Sequence, residues 1–204
     1  MIGDPFACPA RPVTGCLSPA GIRQAEAARA MLATAPVDRA FSSPYGRALQ
    51  TAEIVLNGRN VPLHILDCLR EWQPNGALRD THPTEHERIM RHHEDAYVEE
   101  TWKTDLGEGC FDMYARVCPP FLKELDQLGV HHRMGGYVLD DCAHNISLAV
   151  FAHGGSLNVL LCFLMEIPPF PLAKFDFALT GVAQLTFVER KGIYYPRLCI
   201  PARG

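Results

Sequence analysis

Strand-like and helix-like segments alternate along this chain of 204 residues, and the alternation limits the folds open to it. The apolar run from Ser147 to Ala152 is typical of a buried strand, and Gly154-Gly155-Ser156 then opens an apolar helix. Strands and helices in alternation favour a parallel sheet covered by helices. We therefore expect a single α/β domain over residues 1–204, a three-layer α/β/α sandwich with a mostly parallel central sheet.

Two serine-proline pairs mark the starts of two helices. Ser18 and Ser43 can each act as an N-cap, and the proline that follows each of them suits the first helical position. The first helix is expected to end near Ala33 and the second near Leu56, where Asn57-Gly58 stops it. The other expected elements are strands over 37–41, 61–66, 182–188 and 194–200, a helix over 108–128 that Pro119 and Pro120 kink or split, and a loop over 129–145 with a small hairpin.

Residues 74–104 are polar and interrupt this alternation. We interpret 83–100 as a surface helix that caps the domain and lies over the functional cleft, because surface segments on a rigid scaffold commonly carry specificity. The segment also holds side chains that could bind a metal, but Pro83 falls within the first histidine pair, so a solvated polar face is favoured. The side chains concerned are His82, His86, His92, His93, Glu85 and Glu87.

Charge and cysteine usage exclude several classes of protein. The net charge is −4 and neither sign forms a long block, which argues against nucleic acid or a membrane surface as partner. No apolar run is long enough for a membrane span and the first residues lack a signal-peptide pattern, so a cytoplasmic protein is expected. The eight cysteines include no C-x-x-C pair, so we expect free thiols, with Cys162 in the core, and no structural zinc. No cofactor is implied, and the oligomeric state stays open.

His153 stands between a buried strand and the glycine pair that opens a helix. Ligands of α/β sheets bind beyond the carboxyl ends of the strands, and helix N-termini attract anions. Glycine lets an anion approach the backbone closely, which makes Gly154 a candidate contact. An isolated histidine here would be interpreted as a satisfied side chain at a strand end, whereas the glycines that follow favour a phosphate site.

Arg47 is expected just past the first turn of the second helix, where its charge opposes the helix dipole. Such a placement is reasonable if an anion lies between the guanidinium and the helix end, since arginine can bind phosphate with two hydrogen bonds at once. The alternative is a surface arginine that covers Tyr45 or Gln50.

Glu71 follows a predicted strand and precedes Trp72. A carboxyl group beside tryptophan could hold a proton and donate it during a reaction. A solvated loop glutamate that pairs with Arg70 is the alternative interpretation.

Together these segments resemble the histidine phosphatase superfamily, which has the phosphoglycerate mutase-like fold. Residues 17–25 are similar to its Leu-Ser/Thr-x-x-Gly-x-x-Gln-Ala pattern, and 42–52 match its Ser-Ser-Pro-x-x-Arg-Ala-x-Gln-Thr-Ala pattern. Residues 69–72 resemble its Leu-x-Glu segment, and 151–155 resemble its second histidine motif. Its Gly-Glu-Ser helix is similar to the segment that holds Gly107, Glu108, Gly109 in place of the serine, Arg116 and Phe121.

The resemblance implies roles for three residues. Arg47 would clamp phosphate, His153 would stabilise the transferring phosphoryl group, and Glu71 would give a proton to the leaving oxygen. The reaction would be an in-line displacement through a phosphohistidine, on a phosphorylated small-molecule substrate and without a metal. Residues 74–104 offer four basic side chains among seven acids and no concentrated basic wall, which favours a phosphatase over a mutase.

The N-terminal motif departs from the family pattern. The family opens with an apolar strand that ends in Arg-His-Gly, whose histidine is the nucleophile, and here Met1-Ile2-Gly3 falls on that motif. Isoleucine has no nucleophilic atom, so we expect the chain as written to be inactive. It is then either a truncated phosphomonoester phosphatase or a pseudo-phosphatase that binds phosphorylated ligands or a protein partner. Loss of a central strand leaves buried backbone groups unpaired, at about 1–3 kcal/mol each, which favours truncation.

Overall fold

The computed structural model describes residues 17–75, 81–82, 84–85, 87–88, 107–133, 135–169 and 174–199. The helices are α1 (Pro19–Met31), α2 (Gly46–Leu56), α3 (Cys110–Gln127) and α4 (Gly154–Leu164). The strands are β1 (Arg39–Ser42), β2 (Leu63–Ile65), β3 (Val130–Arg133), β4 (Gly136–Leu139), β5 (Leu148–Phe151), β6 (Gln184–Arg190) and β7 (Ile193–Cys199). Short 3-10 turns cover Asp67–Leu69 and Asp141–Ala143.

A parallel sheet with the strand order β2-β1-β5 carries the carboxyl edge that matters for function. Ser42, the last residue of β1, pairs with Ile65 at the end of β2 and with Phe151 at the end of β5. The three strands therefore end side by side, and the loops that follow them meet at one edge. The expected α/β class with a parallel sheet is confirmed.

The remaining strands form a second, antiparallel sheet with the order β3-β4-β7-β6. The small hairpin expected within 129–145 is present as β3 and β4. The closing strands β6 and β7 were expected as well, but they pair with this hairpin instead of extending the parallel sheet. A two-residue turn joins them, with positive φ at both Lys191 and Gly192, and such a turn commits two strands to antiparallel pairing.

The two serine-proline pairs behave differently. Ser18 caps α1 as expected, because its Oγ accepts the Gly21 N–H at 3.2 Å and Pro19 begins the helix. The expected start of the second helix at Ser43 was wrong: α2 begins at Gly46, after Tyr45 as N-cap. The Ser43 hydroxyl lies 2.8 Å from a ring nitrogen of His153, a contact that sequence patterns do not reveal.

Helix α3 runs without a break through Pro119 and Pro120, so the expected split was wrong. A proline inside a helix removes one backbone hydrogen bond and crowds the preceding turn. Val117, Cys118 and Phe121 on either side of the pair are buried in the core, and this packing holds the helix together. Tertiary contacts therefore outweigh the local preference of the two prolines.

The hydrophobic core lies mainly between α3 and α4. Phe41 from β1 contributes to it, and Tyr137 from β4 donates its hydroxyl to the Leu164 carbonyl at 3.2 Å. Cys162 is fully buried, as expected, and every cysteine in the described part of the chain is a free thiol.

Strand β5 is half-buried along its length, although its sequence predicts a buried strand. Among the described residues it is the last strand of the parallel sheet, so one of its edges has no strand partner. That edge lines a cavity of about 2660 Å³ whose other wall includes Gln184–Phe187 of β6, the last strand of the second sheet. We call this cavity the inter-sheet groove.

Two sequence-based expectations fall largely outside the described residues. One is the surface helix over 83–100 and its place over the cleft, and the other concerns Met1 and Ile2. Where the segment is described, Arg88 forms an exposed ion pair with Glu85. The described ranges hold no cluster of side chains suited to a metal ion. Nor do they include a helix of the length and apolar character that a membrane crossing requires.

Candidate active site

Arg47, Glu71 and His153 lie together at the carboxyl edge of the parallel sheet. His153 follows β5 and is the N-cap of α4, and Arg47 is the second residue of α2, after β1. Glu71 stands in the loop that follows β2 and its 3-10 turn. Each of the three candidate side chains thus follows a different strand of the parallel sheet.

His153 is held by one partner on each ring nitrogen. The Nε of Arg47 donates to Nδ1 at 3.2 Å, and Nε2 lies 2.8 Å from the Ser43 Oγ. A guanidinium has no acceptor, so Nδ1 must present its lone pair to Arg47. The single proton of a neutral ring is therefore on Nε2, and Nε2 donates it to Ser43.

The environment of His153 keeps the ring uncharged. Its side chain is only 7% exposed. Burial lowers the pKa of His153 to about 3, and the positive charges of Arg47 and Arg116 act in the same direction. The imidazole is therefore neutral at physiological pH and can take up a proton only if a negative charge arrives beside it.

Arg47 lies in the first turn of α2, two residues nearer the helix start than expected, so the expected position was wrong while the opposition to the helix dipole holds. Its guanidinium covers the Tyr45 ring, 5.2 Å from the ring centroid, as in the surface interpretation, but it also reaches His153. Burial lowers the pKa of Arg47, with the Glu71 charge opposing that shift. An arginine still stays protonated in such a setting, so the pocket keeps one fixed positive charge.

The Glu71 carboxylate rests on the N-terminus of α4. Its Oε1 accepts hydrogen bonds from the Gly155 N–H at 3.1 Å and from the Trp72 N–H at 2.9 Å. The alternative pairing with Arg70 was wrong, because Arg70 binds Asp67 at 3.1 Å instead. An acidic side chain therefore occupies one of the backbone donors at the helix end, where such groups are favoured.

A second layer of side chains fixes the loop that carries Glu71. Arg116 donates to the carbonyls of Cys68 and Glu71, at 2.8 and 3.3 Å, and forms a two-point ion pair with Glu108. Gln73 joins the same loop to α2, because its amide donates to the Tyr45 hydroxyl at 2.6 Å. Sequence reasoning placed Glu108 and Arg116 in a family motif but missed Gln73 and the role of Ser43, since no local pattern signals such long-range contacts.

The two glycines at the start of α4 have different surroundings. A Cβ built on Gly155 would lie 2.6 Å from the Glu71 Oε1, whereas a Cβ on Gly154 would meet no atom within 4 Å. Gly155 is therefore required for the close approach of Glu71. Gly154 borders open space, and its predicted contact with an anion stays a prediction.

Gly155→Ala should lower the free energy of unfolding by about 1 kcal/mol, because its methyl group displaces the Glu71 carboxyl group and removes the hydrogen bond that Glu71 accepts from the Gly155 N–H. Gly154→Ala is the matched control and should change it little, because its methyl group enters open space. Urea unfolding of both variants measures the difference. Equal losses in the two variants would contradict the arrangement of Glu71 on α4.

Comparison with protein families gives a match over most of the chain. The model described as the histidine phosphatase superfamily (branch 1) matches residues 15–194. The adenosylcobalamin/alpha-ribazole phosphatase of Salmonella typhimurium is 32% identical over 166 residues, which cover 78% of this chain and 72% of that protein.

Solved structures show the same fold. The mycobacterial glucosyl-3-phosphoglycerate phosphatase in complex with VO3 has a TM-score of 0.69 at 22% identity, with 96% of this chain and 92% of that chain covered. A putative alpha-ribazole-5'-P phosphatase from Escherichia coli has a TM-score of 0.65 at 22% identity, with 91% and 84% covered.

Proposed function

Because this chain belongs to the histidine phosphatase superfamily (branch 1), we propose that its pocket binds and hydrolyses phosphomonoesters of small molecules. The observation that carries the proposal is the contact of Arg47 with a buried, neutral His153 at the N-terminus of α4, beside the Glu71 carboxylate. A guanidinium and a helix N-terminus are both strong phosphate ligands. The phosphatase names of its relatives support the same chemistry.

In this proposal the pocket stabilises the phosphoryl group by fixed charges and hydrogen-bond donors. Arg47 and the free backbone donors near Gly154 hold the phosphoryl oxygens, and His153 stabilises the charge that they develop. Glu71, in its protonated form, gives a proton to the leaving oxygen and becomes the carboxylate that accepts from Gly155 and Trp72. His153 does not attack the phosphorus in this proposal, because its role places it beside the phosphoryl oxygens and not in line with the leaving oxygen.

The attacking group therefore has to reach the pocket from elsewhere, and the inter-sheet groove offers a path. Its walls include Arg47, Glu71 and His153 as well as the edge of β5 that no other described strand pairs with. A strand laid parallel to β5 in the groove would end beside His153, just as β1 and β5 end there. We propose that the active form carries its nucleophilic histidine at the end of such a strand. In the family pattern Ile2 falls on that histidine, and isoleucine has no nucleophilic atom, so in this proposal the nucleophile is not supplied by Ile2.

A pseudo-phosphatase is the alternative proposal. One observation favours it: Arg47, His153 and Ser43 form one chain of hydrogen bonds, and Glu71 is held separately by Gly155, so the described side chains of the pocket already have partners. Such a pocket can bind a phosphorylated ligand without turnover. The two proposals differ in whether a supplied nucleophile produces hydrolysis.

Inorganic phosphate should raise the thermal unfolding midpoint of the full chain, since a ligand that binds only the folded state stabilises it. Arg47→Ala should weaken phosphate binding roughly 10- to 100-fold, because hydrogen bonds to charged groups contribute about 1.5–3 kcal/mol. The control is Arg23→Ala, which removes an exposed arginine of α1. Equal affinity of the two variants would rule out this pocket as the phosphate site.

The names of similar proteins suggest which substrates to assay first. Alpha-ribazole 5'-phosphate and glucosyl-3-phosphoglycerate are the first compounds to assay, since similar proteins are named for them. A panel of phosphorylated metabolites then ranks kcat/KM in a form that carries a nucleophile.

A further inference from the structure

The two partners of His153 differ in what they can do. Arg47 can only donate a hydrogen bond, whereas the Ser43 hydroxyl can either accept or donate one. With Arg47 on Nδ1, the folded chain has its proton on Nε2 and uses Ser43 as acceptor. The Ser43 Oγ also accepts the Tyr45 N–H at 3.3 Å, so both observed contacts use it as an acceptor.

Of the two side chains that contact the His153 ring nitrogens in the described part of the chain, Arg47 lines the inter-sheet groove and Ser43 does not. Nε2 faces Ser43, whose side chain is fully buried. Nδ1 faces Arg47, and Arg47 lines the inter-sheet groove. An anion bound by the Arg47 guanidinium therefore meets the Nδ1 side of the ring.

The lone pair on Nδ1 does not suit that contact, because it would face an anionic oxygen. Nδ1 has to carry a proton before it can donate to the anion. A second proton would create a buried imidazolium beside Arg47 and near Arg116, and burial of like charges is costly. Transfer of the single proton from Nε2 to Nδ1 keeps the ring neutral.

We propose that Ser43 is a positioning residue that lets His153 exchange tautomers when a phosphate anion binds. The inference rests on the proposed phosphate site. On binding, Nε2 releases a proton and Nδ1 gains one, so the net number of protons on the ring does not change. The Ser43 hydroxyl rotates and donates to Nε2, while Nδ1–H and the released Arg47 Nε–H both donate to phosphate oxygens.

The first measurement is made on the full chain without ligand. Long-range ¹H–¹⁵N NMR of ¹⁵N-histidine-labelled protein distinguishes a protonated ring nitrogen from one with a lone pair. His153 should show Nε2 protonated and Nδ1 unprotonated at neutral pH. A protonated Nδ1 in the free chain would overturn the inference before any ligand is added.

The second measurement adds inorganic phosphate at high concentration and mildly alkaline pH. His153 should then show Nδ1 protonated and Nε2 unprotonated. If the Arg47 Nε–H and Gly154 amide signals move while His153 keeps its Nε2 proton or carries two protons, the tautomer exchange is wrong and the phosphate site stands. If no pocket signal responds, the proposed function fails, and the inference fails with it.

Substitutions at two adjacent serines separate the effect of the Ser43 hydroxyl on His153 from the effect of removing any buried hydroxyl. Ser43→Ala should weaken phosphate binding about three- to tenfold, as expected for one lost hydrogen bond, and should prevent the neutral Nδ1–H form. Ser42→Ala is the matched control, because Ser42 is equally buried but bonds the Ser43 carbonyl instead of His153. Equal behaviour of His153 in the two variants would contradict the role of Ser43, and the wild-type spectra decide the point even if Ser43→Ala fails to fold.

Discussion

A chain extended by an apolar strand before residue 1, with Met1→Arg and Ile2→His, should hydrolyse p-nitrophenyl phosphate, whereas the unextended chain should show negligible turnover. Ile2 has no lone pair, and covalent catalysis needs both a nucleophilic atom and its alignment. The rest of the proposed pocket is assembled already, around Arg47, Glu71 and His153. Turnover of the extended form should therefore reach an ordinary enzyme rate, on the order of 1–10³ s⁻¹.

The matched control keeps the added strand and Met1→Arg but leaves Ile2 in place. It should gain stability without turnover, because a strand in the inter-sheet groove pairs with the β5 edge that has no strand partner among the described residues, while the nucleophile is still missing. Urea unfolding and steady-state hydrolysis separate the two effects. An extended form that gains stability and binds phosphate but never turns over would favour the pseudo-phosphatase.

One outcome would contradict the assignment of the site itself. If the unextended chain hydrolyses p-nitrophenyl phosphate at an ordinary enzyme rate and His153→Ala abolishes that rate, His153 is the nucleophile. Its two hydrogen bonds, to Arg47 and Ser43, would then have to open during each turnover.

His153 alone should lower the free energy of unfolding by up to about 4–5 kcal/mol as the pH falls from 6.5 to about 3. Its pKa is lower in the folded chain than in the unfolded chain, so in this window only the unfolded state binds the proton. The contribution of His153 to the free energy of unfolding is therefore greatest above pH 6.5 and is lost as the pH falls towards about 3. His153→Gln removes the titration while keeping a group that can accept from Arg47 and donate to Ser43, so the wild-type minus variant difference isolates the effect.

His131 provides the control, because its pKa is shifted in the direction opposite to that of His153. Hydrogen bonds to Asp140 and Asp126 raise the pKa of His131, which is exposed in the second sheet. The stabilisation that they provide is complete below the unfolded pKa and is lost as the pH rises through the folded pKa. His131→Asn should therefore change the pH dependence in the direction opposite to His153→Gln. A flat difference curve for His153→Gln would show that the ring is not held neutral by its surroundings.

The sequence predicted correctly those helix ends that are set by residues close together in the chain. The Ser18-Pro19 cap sets the start of α1, and Asn57-Gly58 ends α2 with Gly58 at a φ of +81°, because these features involve neighbours only a few residues apart. The strand at 148–151 and the helix after His153 also follow from their patterns. The parallel sheet is a consequence of the same alternation.

Long-range contacts decided the features that sequence reasoning missed. Ser43 has the pattern of an N-cap, but its hydroxyl contacts His153, 110 residues later in the chain. The Pro119-Pro120 pair predicts a kinked or split helix, and the split is wrong because core packing on both sides keeps α3 in one piece. Glu71 is placed by Gly155 and not by its neighbour Arg70, because the backbone donors of α4 lie within its reach.

The sequence by itself determined the fold class, the family and the three polar side chains after the three parallel strands, since each depends on residue types and their order along the chain. The tertiary structure alone decided how those side chains meet. The proton of His153 lies on Nε2 because Arg47 and Ser43 approach it from opposite sides, and a tautomer depends on atoms within about 3 Å whatever their separation in sequence.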